Sequence, residues 1–122
     1  MLEKDIEASI LYWLNYQMGC YAIKIHTKGT WDQRGFFRKP GKFVAIGCAD
    51  IVFVYYGLFG CFEVKTPKAY KKFFSSPGEH ELRQQSFLQQ VKSKGGFAEV
   101  VCSLDQVQKH LEELKKKHIA LK

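Results

Sequence analysis

Two apolar runs, Ile51-Val52-Phe53-Val54-Tyr55-Tyr56 and Cys61-Phe62-Glu63-Val64-Lys65, constrain this chain more than any other stretch. Gly57-Leu58-Phe59-Gly60 separates them. β-Branched and aromatic residues on both sides of a glycine-bounded break predict an antiparallel hairpin with a tight turn at 57–60. Side chains alternate across a strand, so Glu63 and Lys65 leave on one face and Phe62 and Val64 on the other. Asp50 stands at the entry to the first strand. Pairing about the turn brings its carboxylate towards that of Glu63, with the Lys65 ammonium beside them.

Acids inside a hydrophobic hairpin are unfavourable unless something compensates them. A divalent cation would do so. Asp50, Glu63, a backbone carbonyl (that of Val64) and waters form an all-oxygen set suited to Mg²⁺ or Mn²⁺. Lys65 then has a use in orienting or activating a water, or in offsetting charge on a phosphate. The plainer alternative is a surface Asp and a Glu–Lys pair on a solvated sheet face.

Length and composition narrow the partners. The 122 residues, 46% hydrophobic and 25% charged, fit one globular domain with a real core. No run is long enough to span a membrane, and Met1-Leu2-Glu3-Lys4-Asp5 does not read as a signal peptide. Cys20, Cys48, Cys61 and Cys102 are widely spaced, so they read as reduced core thiols of a cytoplasmic protein, with a zinc site as the lesser alternative. The net charge of +7 favours nucleic acid as partner over a membrane surface, because the cations are not gathered on one helical face.

Taken in order, Glu3 to Gln17 predicts a helix with Ile6, Ile10, Trp13 and Leu14 on its buried stripe and Gly19 as its stop. Glu7 lies on or beside that stripe, whereas Glu3 and Asp5 suit a solvated first turn favoured by the helix dipole. Residues 20–26 predict a strand. The irregular stretch 27–46 carries Lys28, Arg34, Arg38, Lys39 and Lys42 among Trp31, Phe36 and Phe37. Such a loop fits phosphate contact and base stacking, or cations that are merely solvated. Residues 66–78 predict a second loop whose Lys68, Lys71 and Lys72 extend the basic surface. Glu79 to Lys94 predicts a helix with Leu82, Phe87, Leu88 and Val91 inward and Gly95-Gly96 at its end. Gln84 shares their face or lies at its edge. A strand at 97–102 and a helix capped by Ser103 with Gln106 close the chain. His26, His80, His110 and His118 read as surface or structural residues.

Asp50, the Glu63-Val64-Lys65 triplet and the Gln84-x-x-Phe87 helix ending in Gly95-Gly96 resemble the VRR-NUC family of the PD-(D/E)XK nuclease superfamily. The resemblance is strongest from Gly47 to Val101, and one departure is Ala49 where the superfamily has Pro. It implies a restriction-endonuclease-like core and a Holliday-junction-resolvase-like activity. It also implies that Glu7 reaches the metal, directly or through water, and that Gln84 stands near the catalytic site.

The chain therefore reads as a single α/β domain over residues 1–122, with helices flanking a central mixed β-sheet. The expected function is Mg²⁺- or Mn²⁺-dependent hydrolysis of DNA phosphodiesters on branched substrates such as four-way junctions. Asp50, Glu63, Lys65, Gln84 and Glu7 would carry it. Two related cuts in one junction call for a homodimer, formed through the loop aromatics or an exposed strand edge. The competing readings are a flap, nicking or general nuclease on the same site, and a non-catalytic basic nucleic-acid-binding module.

Overall fold

The computed structural model describes residues 2–25, 30–31, 37–38 and 48–120. Lys28, Arg34, Lys39, Lys42 and Phe36 lie outside the described residues. Helix α1 (Glu3–Tyr16) buries Ile6, Ile10 and Leu14, each four positions after the last, and Trp13 packs beside them. Strand β1 (Tyr21–Lys24) follows. Its attachment to α1 runs through Asn15, whose amide accepts from the Ala22 N–H at 2.9 Å and donates to the Ala22 carbonyl at 3.0 Å. Strands β2 (Thr30–Trp31) and β3 (Phe37–Arg38) pair as a separate two-residue ladder, with Arg38 opposite Thr30.

Strands β4 (Ile51–Tyr55) and β5 (Leu58–Val64) form the expected hairpin, but its turn sits earlier than 57–60. Tyr55 pairs with Leu58, leaving Tyr56 and Gly57 as a two-residue loop, both at positive φ (45° and 88°). That geometry matches the twist of paired strands, and glycine supplies half of it without strain. Gly60 is consequently a strand residue. It is glycine because the Phe53 ring lies across it, where any Cβ would collide.

A helix, α2 (Pro67–Ser75), replaces the expected 66–78 loop. Thr66 caps it, its Oγ1 accepting from the Ala69 N–H at 3.3 Å, and Pro67 occupies the first turn where its missing N–H is harmless. Phe73 alone is fully buried, so the helix is held by one side chain and its cap rather than by a long apolar stripe. Helix α3 (Glu79–Ser93) buries Gln84 and Leu88 and leaves Leu82 exposed, contrary to the expected stripe. Gly95, at φ 89°, and Gly96 return their N–H groups to Lys92 and Val91 and end the helix.

Strand β6 (Phe97–Val101) then pairs parallel to β5, and helix α4 (Leu104–Ala120) closes the described chain. The Ser103 hydroxyl accepts from the Gln106 N–H, while Gln106 Oε1 accepts from Cys102 rather than from Ser103 itself.

The sheet order is β1-β4-β5-β6, antiparallel up to β5 and parallel between β5 and β6. This is the mixed, helix-flanked sheet expected. Ile51, Phe53, Phe62 and Val64 pack on one face with Ile10, Leu14, Val107 and Leu111 from α1 and α4. Each such side chain contributes about 1.5–3 kcal/mol by leaving water. On the other face, Cys61, Ala98 and Val100 meet Phe73 and Leu88 from α2 and α3. All four cysteines are free thiols. Burial pushes Cys61 up to about 12 and Cys20 up to about 11, so both remain protonated packing groups. Among the described residues no helix is long and apolar enough to cross a membrane.

Candidate metal centre and nucleic-acid interface

Alternation along β5 sends Phe62 and Val64 into the α1–α4 core and turns Glu63 towards α3. Ile51 lies opposite Phe62, so Asp50 enters the sheet level with Glu63. Asp50 Oδ2 accepts from the Val64 N–H at 2.8 Å, which fixes the carboxylate against the backbone between Glu63 and Lys65. Val64 is therefore beside Asp50 through its N–H, whereas the role expected of it was that of its carbonyl. The Glu63 side chain is almost wholly buried. Its Oε1 accepts from Gln84 Nε2 at 2.7 Å and lies 3.6 Å from Lys65 Nζ. Among the described residues its Oε2 meets no N–H or hydroxyl donor, and the Asp50 carboxyl is its hydrogen-bonding neighbour.

Burial is the largest cause of a strong upward shift at Glu63, and the neighbouring Asp50 carboxylate adds to it; Lys65 opposes both, and Glu63 is pushed up to about 9. Asp50 is raised as well, mainly by burial, with the Val64 N–H pulling it back. Without a cation the pair holds a proton between them.

Glu7 is buried, as expected for a residue on the α1 stripe. Its carboxylate joins those of Asp50 and Glu3, one ligand oxygen from each lying within 4.8 Å of the others. Glu3 was expected in solvent. Its i,i+4 spacing from Glu7 on one helical face was the signal that places both together. Lys24, at the end of β1, sets its Nζ 2.8 Å from Glu7 Oε2, an ion pair that raises Lys24. Nothing in the strand pattern marked it, since its side chain is half-exposed.

Gln84, rather than Gln85, faces the acids. Gln85 Nε2 instead donates to the Phe73 carbonyl at 3.1 Å, tying α3 to α2. Gln84 Nε2 also lies 3.2 Å from His80 Nε2, so an exposed histidine expected to be idle touches the site's rim one turn away. Among the described residues Gln84 Oε1 is buried without a donor. Lys65 is held with its Nζ 5.7 Å from the centre of the Phe73 ring.

The donor set fits a hard divalent cation. It consists of the carboxylates of Glu3, Glu7 and Asp50, without thiolate or imidazole, and Glu63 adjoins it through Asp50. Asp50, Glu7 and Glu3 are the acids whose oxygens lie close enough to hold one ion, and Glu63, expected as a ligand, stands beside Asp50. No cysteine joins a metal-ligating cluster among the described residues.

Of the expected DNA contacts, Lys68, Lys71 and Lys72 fall on α2 directly after Lys65 and Thr66, with Lys68 and Lys71 exposed. Lys72 is 3.5 Å from Glu81. Arg38 is described only through its backbone pairing with Thr30.

No model of a known protein family matches this chain, and no curated protein matches it.

Proposed function

We propose that this protein is a divalent-cation-dependent DNA endonuclease with a restriction-endonuclease-like core, similar to the VRR-NUC nucleases and acting on branched DNA. The observation that carries the reading is the cluster of acids, with Glu63 almost wholly buried beside Asp50, Lys65 and Gln84 at its Oε1, and Asp50 within 4.8 Å of ligand oxygens from Glu7 and Glu3. In the protein by itself the pair relieves its repulsion by holding a proton, and that proton stands where a divalent cation would compensate both carboxylates.

A bound Mg²⁺ or Mn²⁺ would supply Lewis acidity, making a nearby water more acidic and offsetting charge on the phosphate. The protein's own groups do the rest. Val64 N–H fixes Asp50, and Gln84 fixes Glu63, so the two carboxylates are set before any ligand arrives. The Lys65 ammonium, a donor only, is anchored against Glu63 and Phe73 and can donate to a phosphate oxygen or to the attacking water. Lys68 and Lys71 supply cations along the approach.

Branched DNA and a homodimer follow from the family resemblance and from the need for two symmetric cuts. The experiment is a panel of labelled four-way junctions, flaps, nicked duplexes and single strands incubated with Mg²⁺, Mn²⁺ or EDTA. Metal-dependent cleavage of junctions is the expected result, lost in Asp50→Asn. Absence of cleavage on every substrate would overturn the nuclease reading. Cleavage of flaps alone would retain the chemistry and replace the substrate.

A further inference from the structure

Among the described residues two ammonium groups border the acids, and their surroundings differ. Lys65 keeps 13% of its side chain exposed and its Nζ lies above Phe73, so it has little room to leave. Lys24 keeps 50% exposed and stands on β1, an edge strand of the four-stranded sheet, beside the backbone bond from Ile25 N–H to the Asp50 carbonyl at 2.7 Å. Its head group sits 2.8 Å from Glu7 Oε2, an oxygen whose own side chain is only 7% exposed.

A buried carboxylate surrounded by other carboxylates needs a positive partner. Glu7 has Glu3 and Asp50 close by, and in the protein by itself Lys24 is that partner. A dication that takes the same carboxylate must share Glu7 with the ammonium, and two cations at one oxygen repel each other. A lysine stem is flexible and its head is strongly hydrated, so Lys24 has an open route into water.

We infer that Lys24 is a built-in counter-ion that occupies the cation position on Glu7 and is displaced when a divalent ion binds. The inference rests on the acid cluster being a divalent-cation site. In this arrangement Lys24 weakens metal binding while keeping the empty cluster folded. A lysine that merely propped Glu7 in a ligating pose would do the reverse, and its loss would weaken metal binding.

The test is direct titration of Mn²⁺ into metal-free protein without DNA, read by calorimetry or by the free-ion paramagnetic signal. Lys24→Met keeps the aliphatic stem and removes the charge; Lys24→Gln serves in its place if the Met variant does not fold. Either should bind Mn²⁺ about three- to tenfold more tightly, the range of a partly exposed ion pair plus one removed repulsion. Lys24→Arg should stay at or below wild-type affinity. Unchanged or weaker binding in both neutral variants, with normal binding by wild type, would overturn the inference alone. Failure of the wild type to bind Mn²⁺ would overturn it together with the cation-site reading.

Discussion

Gln84 donates through Nε2 to Glu63 Oε1 across 2.7 Å, joining the middle of α3 to β5 inside the protein. The bond fixes the carboxylate through Oε1 beside Asp50, with which Glu63 shares a proton. Replacing Gln84 by Leu should therefore weaken cleavage about 10–100-fold, the usual loss when a ligand's supporting partner is removed. Gln84→Glu should be worse, because it puts a further acid against Glu63. Cleavage rates at saturating Mg²⁺ check both, and a Leu variant at wild-type rate would remove Gln84 from the site.

Asp50→Asn and Glu63→Gln should abolish cleavage while leaving DNA affinity at or above the wild-type level, since each removes negative charge near phosphate. Lys65→Ala should lose cleavage yet still bind metal, because an ammonium is not a ligand. Paired measurements of DNA binding in Ca²⁺ and of Mn²⁺ affinity separate these roles.

Glu63 also predicts a pH dependence. Its folded-state pKa, about 9, lies above the ordinary 4.5, so the folded chain holds a proton that the unfolded chain releases between those values. Stability in EDTA should fall as pH rises through that window, by at most about 1.4 kcal/mol per pH unit. Glu63→Gln should flatten the slope. Mg²⁺ affinity should rise with pH over the same window, since binding expels the proton. Thermal unfolding from pH 5 to 9, with and without Mg²⁺, is the measurement.

The basic face of α2 should report on DNA through salt. Replacing Lys68, Lys71 and Lys72 together by Ala should weaken binding and reduce the slope of log affinity against log salt by about two to three, near one for each phosphate no longer neutralised. An unchanged slope would place these side chains away from phosphate.

Gly60→Ala tests the packing of the hairpin. With the Phe53 ring across Gly60, even a methyl group forces the ring or the strand aside, at about 1–3 kcal/mol. Urea unfolding should show that loss without a change in slope.

The hairpin, α1, β6 and α4 were legible because each buries residues at a regular spacing, α3 was legible through its Gly95-Gly96 stop rather than its buried face, and the acid pair was legible because β alternation forces Glu63 away from Phe62 and Val64. Helix α2 was hidden because Pro67 and Ser75-Ser76-Pro77 look like loop punctuation, while its only fully buried side chain is Phe73. Leu82 misled for the opposite reason: an apolar residue in a helix need not face the core. Lys24 and His80 were invisible as site residues because their partners, Glu7 and Gln84, matter through tertiary placement or polar contacts that no hydrophobic period encodes.

Asn15 has a consequence for assembly. Its amide saturates both the N–H and the carbonyl of Ala22, so it stands where a further strand would have to dock. A side chain thus closes the β1 border against continuation of the sheet into another molecule. A second copy on this flank therefore finds no free backbone pair at Ala22 and meets the exposed side chains of Tyr21 and Ile23 instead.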